Sequence, residues 1–574
     1  MTVWRELGAH AEPDGGFRFA VWAPNARSVQ VIGDFTGWWP DDGVPLEPSS
    51  AGVWRGVCAS ALAGQRYRYR VLDASGQWSY RADPVAFATE CPPANASVLY
   101  SSSYTWNDEW WMASRATDHH VRPISVYEVH LGSWRPGLSY KELADELVAY
   151  VLDLGFTHVE FLPVMEHPFG GSWGYQVTGF YAPTSRMGTP DDFRHLIDRL
   201  HQAGIGVLLD WVPAHFPRDE WALAGFDGTA LYEHPDPRRG EHPDWGSLIF
   251  NYGRWEVKDF LIDNARYWCE EFHVDGLRVD AVASMLYLDY SRQAGEWEPN
   301  VFGGNTNLEA VALLRELNTV VHRDYPGVLM IAEESTAWPG VTQPVDWSPT
   351  ALGFGFKWNM GWMHDTLSYF REEPIHRRYH HDTLTLPTLY AGQEHFMLSI
   401  SHDEVVHGKR SLLAKLPGDR WNRLAGLRGL LAYMWAFPGK KLLFMGAELG
   451  QETEWSETRG LDWSYVDDGV RSLVRDVNRI YAASPALWGS AFEWLHSDPL
   501  TNTIAFRRDS LVCVANFSGV HQRLSIGLTG WREILNTDAA CYGGTGSGNY
   551  GVIGGKDVVI GPHAALWLMP PDFD

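Results

Sequence analysis

From about residue 120 to about residue 450 the sequence repeats one alternation, a short apolar run followed by an amphipathic stretch. ISVYEVHLG leads into KELADELVAYVLDLG, and THVEFLPV precedes PDDFRHLIDRLHQAG. GVLLDWV is followed by a long loop and a helical run that ends near Phe272. GLRVD, VLMIAEE, GFGFKW, HFMLSIS and KKLLFMGAE are the later strand candidates, with helices between them. The glycine closing KELADELVAYVLDLG stands where a helix end favours it. Pro190 and the two aspartates behind it suit a first helical turn. About eight such units predict an α/β fold, a (β/α)8 TIM barrel in preference to an open doubly wound sheet. No G-x-G-x-x-G opens a helix after the first strand, which argues against dinucleotide binding.

The flanks have a different period. In GFRFAVWAP the residues Phe17, Phe19 and Val21 alternate with small or polar ones, as Tyr67, Tyr69 and Val71 do with Arg66, Arg68 and Arg70. This predicts an N-terminal immunoglobulin-like β-sandwich over residues 1–105, with turns such as Asp14-Gly15-Gly16 between strands. Trp38 and Trp39 in VIGDFTGWWP could face a glycan, but packing against the next domain is the expectation favoured for such large rings. Residues 106–484 are then the barrel. Beyond residue 485, NTIAFRRDSLVCVANFSG and VVIGPHAALWLMP predict a C-terminal antiparallel β domain, residues 485–574. Its glycine-rich loop lacks the G-x-x-x-x-G-K-[ST] pattern that cradles phosphate.

Gly276-Leu-Arg278-Val279-Asp280 reads as a short buried strand. A period of two sends Arg278 and Asp280 to one face. A carboxylate beside a guanidinium stays ionised, which suits a nucleophile that must be an anion; a buried ion pair that only fixes packing would look the same. Its neighbours along the chain decide between these readings. In a parallel barrel the chemistry lies at the C-terminal ends of the strands, and four strand ends here carry polar clusters. Asp210 is followed by His215, Arg278 and Asp280 close the central strand, Glu333 and Glu334 follow IA, and SIS precedes His402-Asp403-Glu404. Clustered anions are costly to desolvate and are kept where function needs them. Two carboxyls flanking a glycosidic bond are the minimum for cleaving it. Asp280 fits the nucleophile. A glutamate crowded by other acids would hold a proton to donate, although periodicity does not choose between Glu333 and Glu334.

Composition narrows the partners. A net charge of -25 and the lack of a basic run exclude nucleic acid as an expected partner. No apolar stretch approaches the ~18 residues a membrane span needs, and the N-terminus has no signal-peptide pattern, so a cytoplasmic protein without membrane partner is expected. Five scattered cysteines without a C-x-x-C pair make a disulfide framework or zinc site improbable, and Cys269 reads as a core thiol. The 29 tryptophans supply planar amphipathic rings of the kind that stack on sugars, though most must be core.

DWVPAHF, GLRVDAVASMLY, IAEEST and SHDEVVHG resemble the four short blocks of the α-amylase superfamily, in its order. YEVHLGSW, MEHPFGGSWGYQVTGFYAPTSRMGTPDDF, HPDWGSLIFNYGR, VASMLYLDYSR and FKWNMGWMHD resemble its glycogen (1,4-α-glucan) branching enzymes, from residue 5 to the end. The resemblance implies Asp280 as nucleophile, Glu333 as general acid/base and Asp403 as the carboxylate that holds ring hydroxyls. It implies that Asp210, His215, Arg278 and His402 orient these groups and the sugar, and that Tyr175 stacks under it. Glu334 would be structural. The implied reaction moves an α-1,4-glucan chain (glycogen, amylose, maltooligosaccharides) to a 6-hydroxyl with retention and with no metal or organic cofactor. A hydrolase of trehalose-releasing, debranching or maltogenic type shares the same blocks. A monomer is expected, and the start of the chain leaves no room for the extra N-terminal β domain of many bacterial branching enzymes.

Overall fold

The computed structural model describes residues 2–571. Eight parallel strands close into a barrel in sequence order. They are β1 Ser125–Val129, β2 His158–Phe161, β3 Gly206–Trp211, β4 Gly276–Val279, β5 Leu329–Ala332, β6 Phe356–Trp358, β7 Phe396–Ile400 and β8 Lys440–Phe444. Each falls inside a segment whose sequence pattern predicts a strand. All residues of β3, β4 and β5 are buried, so apolar runs replace simple alternation. Gly276 opens β4 because a Cβ there would lie 2.6 Å from the Leu329 carbonyl oxygen. The helix Pro190–Gln202 starts on a reciprocal cap, with Thr189 accepting the Asp192 N–H and Asp192 accepting that of Thr189. Helix Tyr140–Leu154 ends before Gly155, which has φ +72°.

The chain packs as two compact units. One comprises residues up to 115, 137–146 and 161–354; the other comprises 116–136, 147–160 and 355 onward.

The first unit contains the N-terminal antiparallel sheet, whose strands follow one another in space as Gly8–Ala11, Phe17–Trp22, Val53–Cys58, Val44–Pro48, Ser28–Gly33, Arg66–Leu72 and Trp78–Arg81. Val44–Pro48 pairs with Ser28–Gly33 through its first half and with Val53–Cys58 through its second, which joins the two parts of the sheet. Tyr67, Tyr69 and Val71 point inward and their arginine neighbours outward, as the period of two requires. The packing expectation fails for Trp39, which is 68% exposed. Pro40 follows it at the start of a short 3-10 turn. Trp38 is held by its indole N–H on Asp34 Oδ1 at 2.9 Å. This unit also contains β3, β4 and β5, in register with Asp210 beside Arg278 and Arg278 beside Ile331.

The second unit contains β1, β6, β7 and β8, with Phe444 of β8 beside Glu128 of β1. It also contains a five-stranded antiparallel sheet in the order Glu493–Asp498, Thr503–Arg508, Leu511–Asn516, Ala564–Met569, Arg532–Asn536. Val512, Val514, Leu566 and Leu568 share one face of it with Val558 and Ile560 of a two-stranded ribbon. Among the described residues no helix is long and apolar enough to cross a membrane.

Candidate active site

Arg278 is the centre of the polar cluster in the first unit. Its side chain is 1% exposed, and three carboxylates surround it. Nη1 meets Asp210 Oδ1 at 2.6 Å and Asp280 Oδ1 at 2.8 Å, and Nη2 meets Glu333 Oε2 at 2.8 Å. Burial alone would strip the guanidinium of its proton more easily. The negative charges of Asp210 and Glu333, with Tyr175 and Asp280, reverse this and hold it well above the usual arginine range. The rigid fork also sets a distance: across its ~2.3 Å span, the bound oxygens of Asp280 and Glu333 lie at most about 8 Å apart.

The backbone supplies the rest of this geometry. β4 stops at Val279, and Asp280 stays attached to the sheet through its N–H on the Trp211 carbonyl at 2.9 Å. Ala281 then takes a left-handed conformation, φ 53° and ψ 40°, which is strained for a residue with a Cβ. That turn aims the Ala281 N–H at Glu333 Oε2, 2.8 Å away, while the Val282 N–H binds the Glu333 carbonyl at 2.9 Å. Glu333 Oε2 is thus engaged twice, whereas Oε1 has no hydrogen-bond partner among the described residues. Glu334 turns the other way, is fully buried, and accepts the N–H and hydroxyl of Thr336.

Tyr175 donates its hydroxyl to Asp210 Oδ2 at 2.5 Å, and its ring centre lies 6.0 Å from the Arg278 guanidinium carbon. Burial first, and then the Asp210 charge, push this phenol well above its ordinary value, so it remains a donor. His215 is buried nearby with no hydrogen bond to these carboxylates among the described residues. Burial lowers its pKa to about 4, which makes it neutral at pH 7. Its ring packs 4.9 Å from that of Trp245.

In the second unit His402 and Asp403 follow β7. The His402 N–H meets Glu128 Oε2 at 3.0 Å and its Nδ1 meets Glu128 Oε1 at 2.6 Å. A carboxylate can only accept, so Nδ1 carries the hydrogen and Nε2 presents its lone pair when the ring is neutral. Nε2 lies 3.7 Å from Asp403 Oδ1. Glu128 was not legible as a site residue, since one buried acid in SVYEV is indistinguishable from a packing residue until its partner, 274 positions on, is known.

Of the residues singled out in the sequence, the fold joins Tyr175, Asp210, Arg278, Asp280 and Glu333 in one network and places His402 next to Asp403, while His215 is buried without a hydrogen bond to that network among the described residues. Glu128 and the bend at Ala281 are contacts of these residues that the sequence pattern does not show. Among the described residues no group of three or more His, Cys, Asp or Glu side chains could hold a metal ion.

A closed parallel barrel with acids at its strand ends, in one chain with two antiparallel β modules, defines the α-amylase type of protein. Family models agree: residues 6–86 match carbohydrate-binding module 48 (isoamylase N-terminal domain), residues 143–225 the alpha amylase catalytic domain, and residues 494–570 the alpha amylase C-terminal all-beta domain. The fold is shared with a putative alpha amylase from Salmonella typhimurium, at TM-score 0.73 and 20% identity over 98% of this chain and 99% of that one. It is shared also with a pullulanase from Paenibacillus barengoltzii, at TM-score 0.75 and 19% identity over 99% and 96%. The 1,4-alpha-glucan branching enzyme GlgB of Thermobifida fusca is 58% identical over 99% of this chain and 80% of its own length. That of Nocardia farcinica is 56% identical over 99% and 81%. The chain belongs to the 1,4-alpha-glucan branching enzyme family.

Proposed function

We propose that the protein breaks an α-1,4 bond of a glucan and rejoins the freed chain to a 6-hydroxyl, creating an α-1,6 branch. The pair of carboxyls, Asp280 and Glu333, moored to the two ends of one guanidinium, supports the bond-breaking step, and the 58% identity to a 1,4-alpha-glucan branching enzyme over 99% of the chain carries transfer over hydrolysis. Their separation of at most about 8 Å is compatible with the ~5–5.5 Å that retention by double displacement needs. In the first step the Asp280 carboxylate attacks C1 while Glu333 Oε1 protonates the departing 4-oxygen. The product is a β-glucosyl ester, and Glu333 is left as a carboxylate. In the second step Glu333 takes the proton from an incoming 6-hydroxyl as O6 replaces the ester oxygen on C1. Asp280 departs as a carboxylate, and α configuration is restored.

Asp403 is assigned to the hydroxyls of the distorted ring, where its hold strengthens in the transition state. Tyr175 is assigned to the face of that sugar, and Asp210, His215 and Arg278 to orientation. No cofactor enters either step. We read three modules, 1–105, 106–484 and 485–574, in a cytoplasmic monomer whose partner is α-1,4-glucan, with no membrane or nucleic-acid partner. The acidic balance of -25 and the absence of a spanning helix among the described residues support the last two points.

Incubation with amylose tests the reading. Branching lowers iodine absorbance and creates α-1,6 bonds that a debranching enzyme releases, with few new reducing ends. Reducing sugar in proportion to the bonds broken, without α-1,6 bonds, would establish a hydrolase instead.

A further inference from the structure

Transfer and hydrolysis pass through the same ester and differ only in which hydroxyl reaches it, so the acceptor must be held beside Glu333 strongly enough to displace water. The loops of the first unit carry an aromatic group suited to this. Trp245 is 38% exposed. It is backed by His242, ring centres 4.3 Å apart, and by His215 at 4.9 Å. Tyr290 stands 6.1 Å away at 53° and is half-buried. Burial, followed by the positive charges of His215 and Arg292, lowers His242 to about 3, while burial lowers His215 to about 4. Both rings are therefore uncharged at pH 7 and back Trp245 without drawing in the water that an imidazolium would hold.

Two further observations point to a ligand. His215 Nδ1, His242 Nε2 and Ser247 Oγ are buried without hydrogen-bond partners among the described residues, in a family of folds where such groups are almost always satisfied. The Tyr290 hydroxyl also has no hydrogen-bond partner among the described residues, yet its pKa is raised first by burial and next by the charge of Glu333, ahead of those of Asp244 and Asp280. Both Glu333 and Asp280 are thus within electrostatic reach of Tyr290. Tyr175, bound to Asp210, occupies a different station.

We propose that Trp245 and Tyr290 form the acceptor platform, Trp245 stacking on a glucose ring of the incoming glucan and Tyr290 hydrogen-bonding to it. The platform rests on the branching reading above. It places O6 of the acceptor near Glu333 Oε1. The O6 proton passes to that oxygen, the C1–O6 bond forms, and the C1–Asp280 ester bond breaks. Without the platform water takes the same path, and its product is a reducing end.

The test compares wild type with Trp245→Ala, Trp245→Phe and Tyr290→Phe on amylose, counting reducing ends before debranching and α-1,6 bonds after it. One aromatic contact predicts that the ratio of reducing ends to branch points rises about tenfold in Trp245→Ala. Trp245→Phe should recover most of that loss, and Tyr290→Phe should raise the ratio severalfold, with the KM for acceptor glucan increased. Thermal unfolding identifies which variants fold; if Trp245→Ala does not, the two phenylalanine variants decide. An unchanged ratio in folded variants of an enzyme that branches overturns the platform alone. A wild type that makes no α-1,6 bonds overturns the function itself.

Discussion

Replacing Arg278 separates what its charge does from what its shape does. In Arg278→Leu, three carboxylates within 2.6–2.8 Å of the lost guanidinium remain where the cation was, and Asp210 among them is fully buried. Removing one partner of a buried ion pair costs about 3–5 kcal/mol, because the remaining charge is neither solvated nor paired. Asp280 and Glu333 keep some access to water, so the lower end of that range is expected, a drop of roughly 2–4 °C in the unfolding midpoint of a chain this long. Arg278→Lys keeps the charge but cannot span Asp280 and Glu333 with one ammonium. It should therefore fold within about 1 kcal/mol of wild type while losing about 10²–10³ in kcat, since misplacement by an ångström is that costly. Differential scanning calorimetry and branching rates read both effects. A lysine variant with wild-type kcat would refute the claim that the fork positions the two acids. A leucine variant of unchanged stability would refute the claim that the cation is needed to bury them.

Asp280→Ala should abolish turnover while leaving folding and amylose binding largely intact, as affinity electrophoresis and thermal unfolding would show; near-normal activity would end its assignment as nucleophile. Glu128→Gln keeps the size but releases the His402 tautomer, and a fall of about 10–10³ in kcat with an unchanged unfolding midpoint is expected. His201 bridges Asp108 at 2.8 Å and Asp275 at 2.9 Å, beside His273 and Arg115. Burial acts to lower its pKa, but Asp275 and then Asp108 raise it on balance, while both aspartates lie below the usual carboxylate range despite their burial. The charged His201 thus contributes fully below its unfolded pKa of ~6.5, and that contribution is lost as pH rises through the folded value. The aspartates contribute above ~3.8 and lose their contribution as pH falls through their own lowered values. Unfolding midpoints of His201→Gln should therefore fall most, by about 3–5 kcal/mol equivalent, between pH 4 and 6.5, and approach wild type in alkali.

What the sequence disclosed, and what it hid, divides by distance along the chain. The strand in GVLLDWV, the cap on PDDFRHLIDRLHQAG and the inward tyrosines of RYRYRVL depend on neighbours within a turn or a pleat, so local patterning reveals them. Strand ends are local features too, which is why Asp210, Asp280 and Glu333 could be picked out. Glu128, the left-handed Ala281 and the His201 bridge depend on partners 52 to 274 positions away, and no periodicity carries that information. Trp39 shows the opposite failure. A large ring ought to be buried on average, but Trp39 stands exposed as the residue capping the 3-10 turn Pro40–Asp42.

The same division bears on how a transferase comes to differ from a hydrolase on one barrel. Asp280 and Glu333 are fixed by Arg278, and this mooring is indifferent to whether water or a sugar hydroxyl arrives. Selectivity must therefore come from groups that contact the arriving molecule without touching the ester, and these have no reason to sit at strand ends. Trp245 and Tyr290 meet that condition. One lies in the loop before Leu248–Ile249, the other just beyond the short helix Val282–Leu286, and among the described residues neither hydrogen-bonds to Asp280 or Glu333. Because such loops can change without disturbing the strand register that places Asp210 beside Arg278, acceptor preference can be altered with little cost to the bond-breaking step. Grafting the 242–247 and 287–290 segments of a hydrolase of this fold onto the chain should accordingly raise the yield of reducing ends while cleavage continues; loss of cleavage in a folded graft would show that selectivity and chemistry are not separable here.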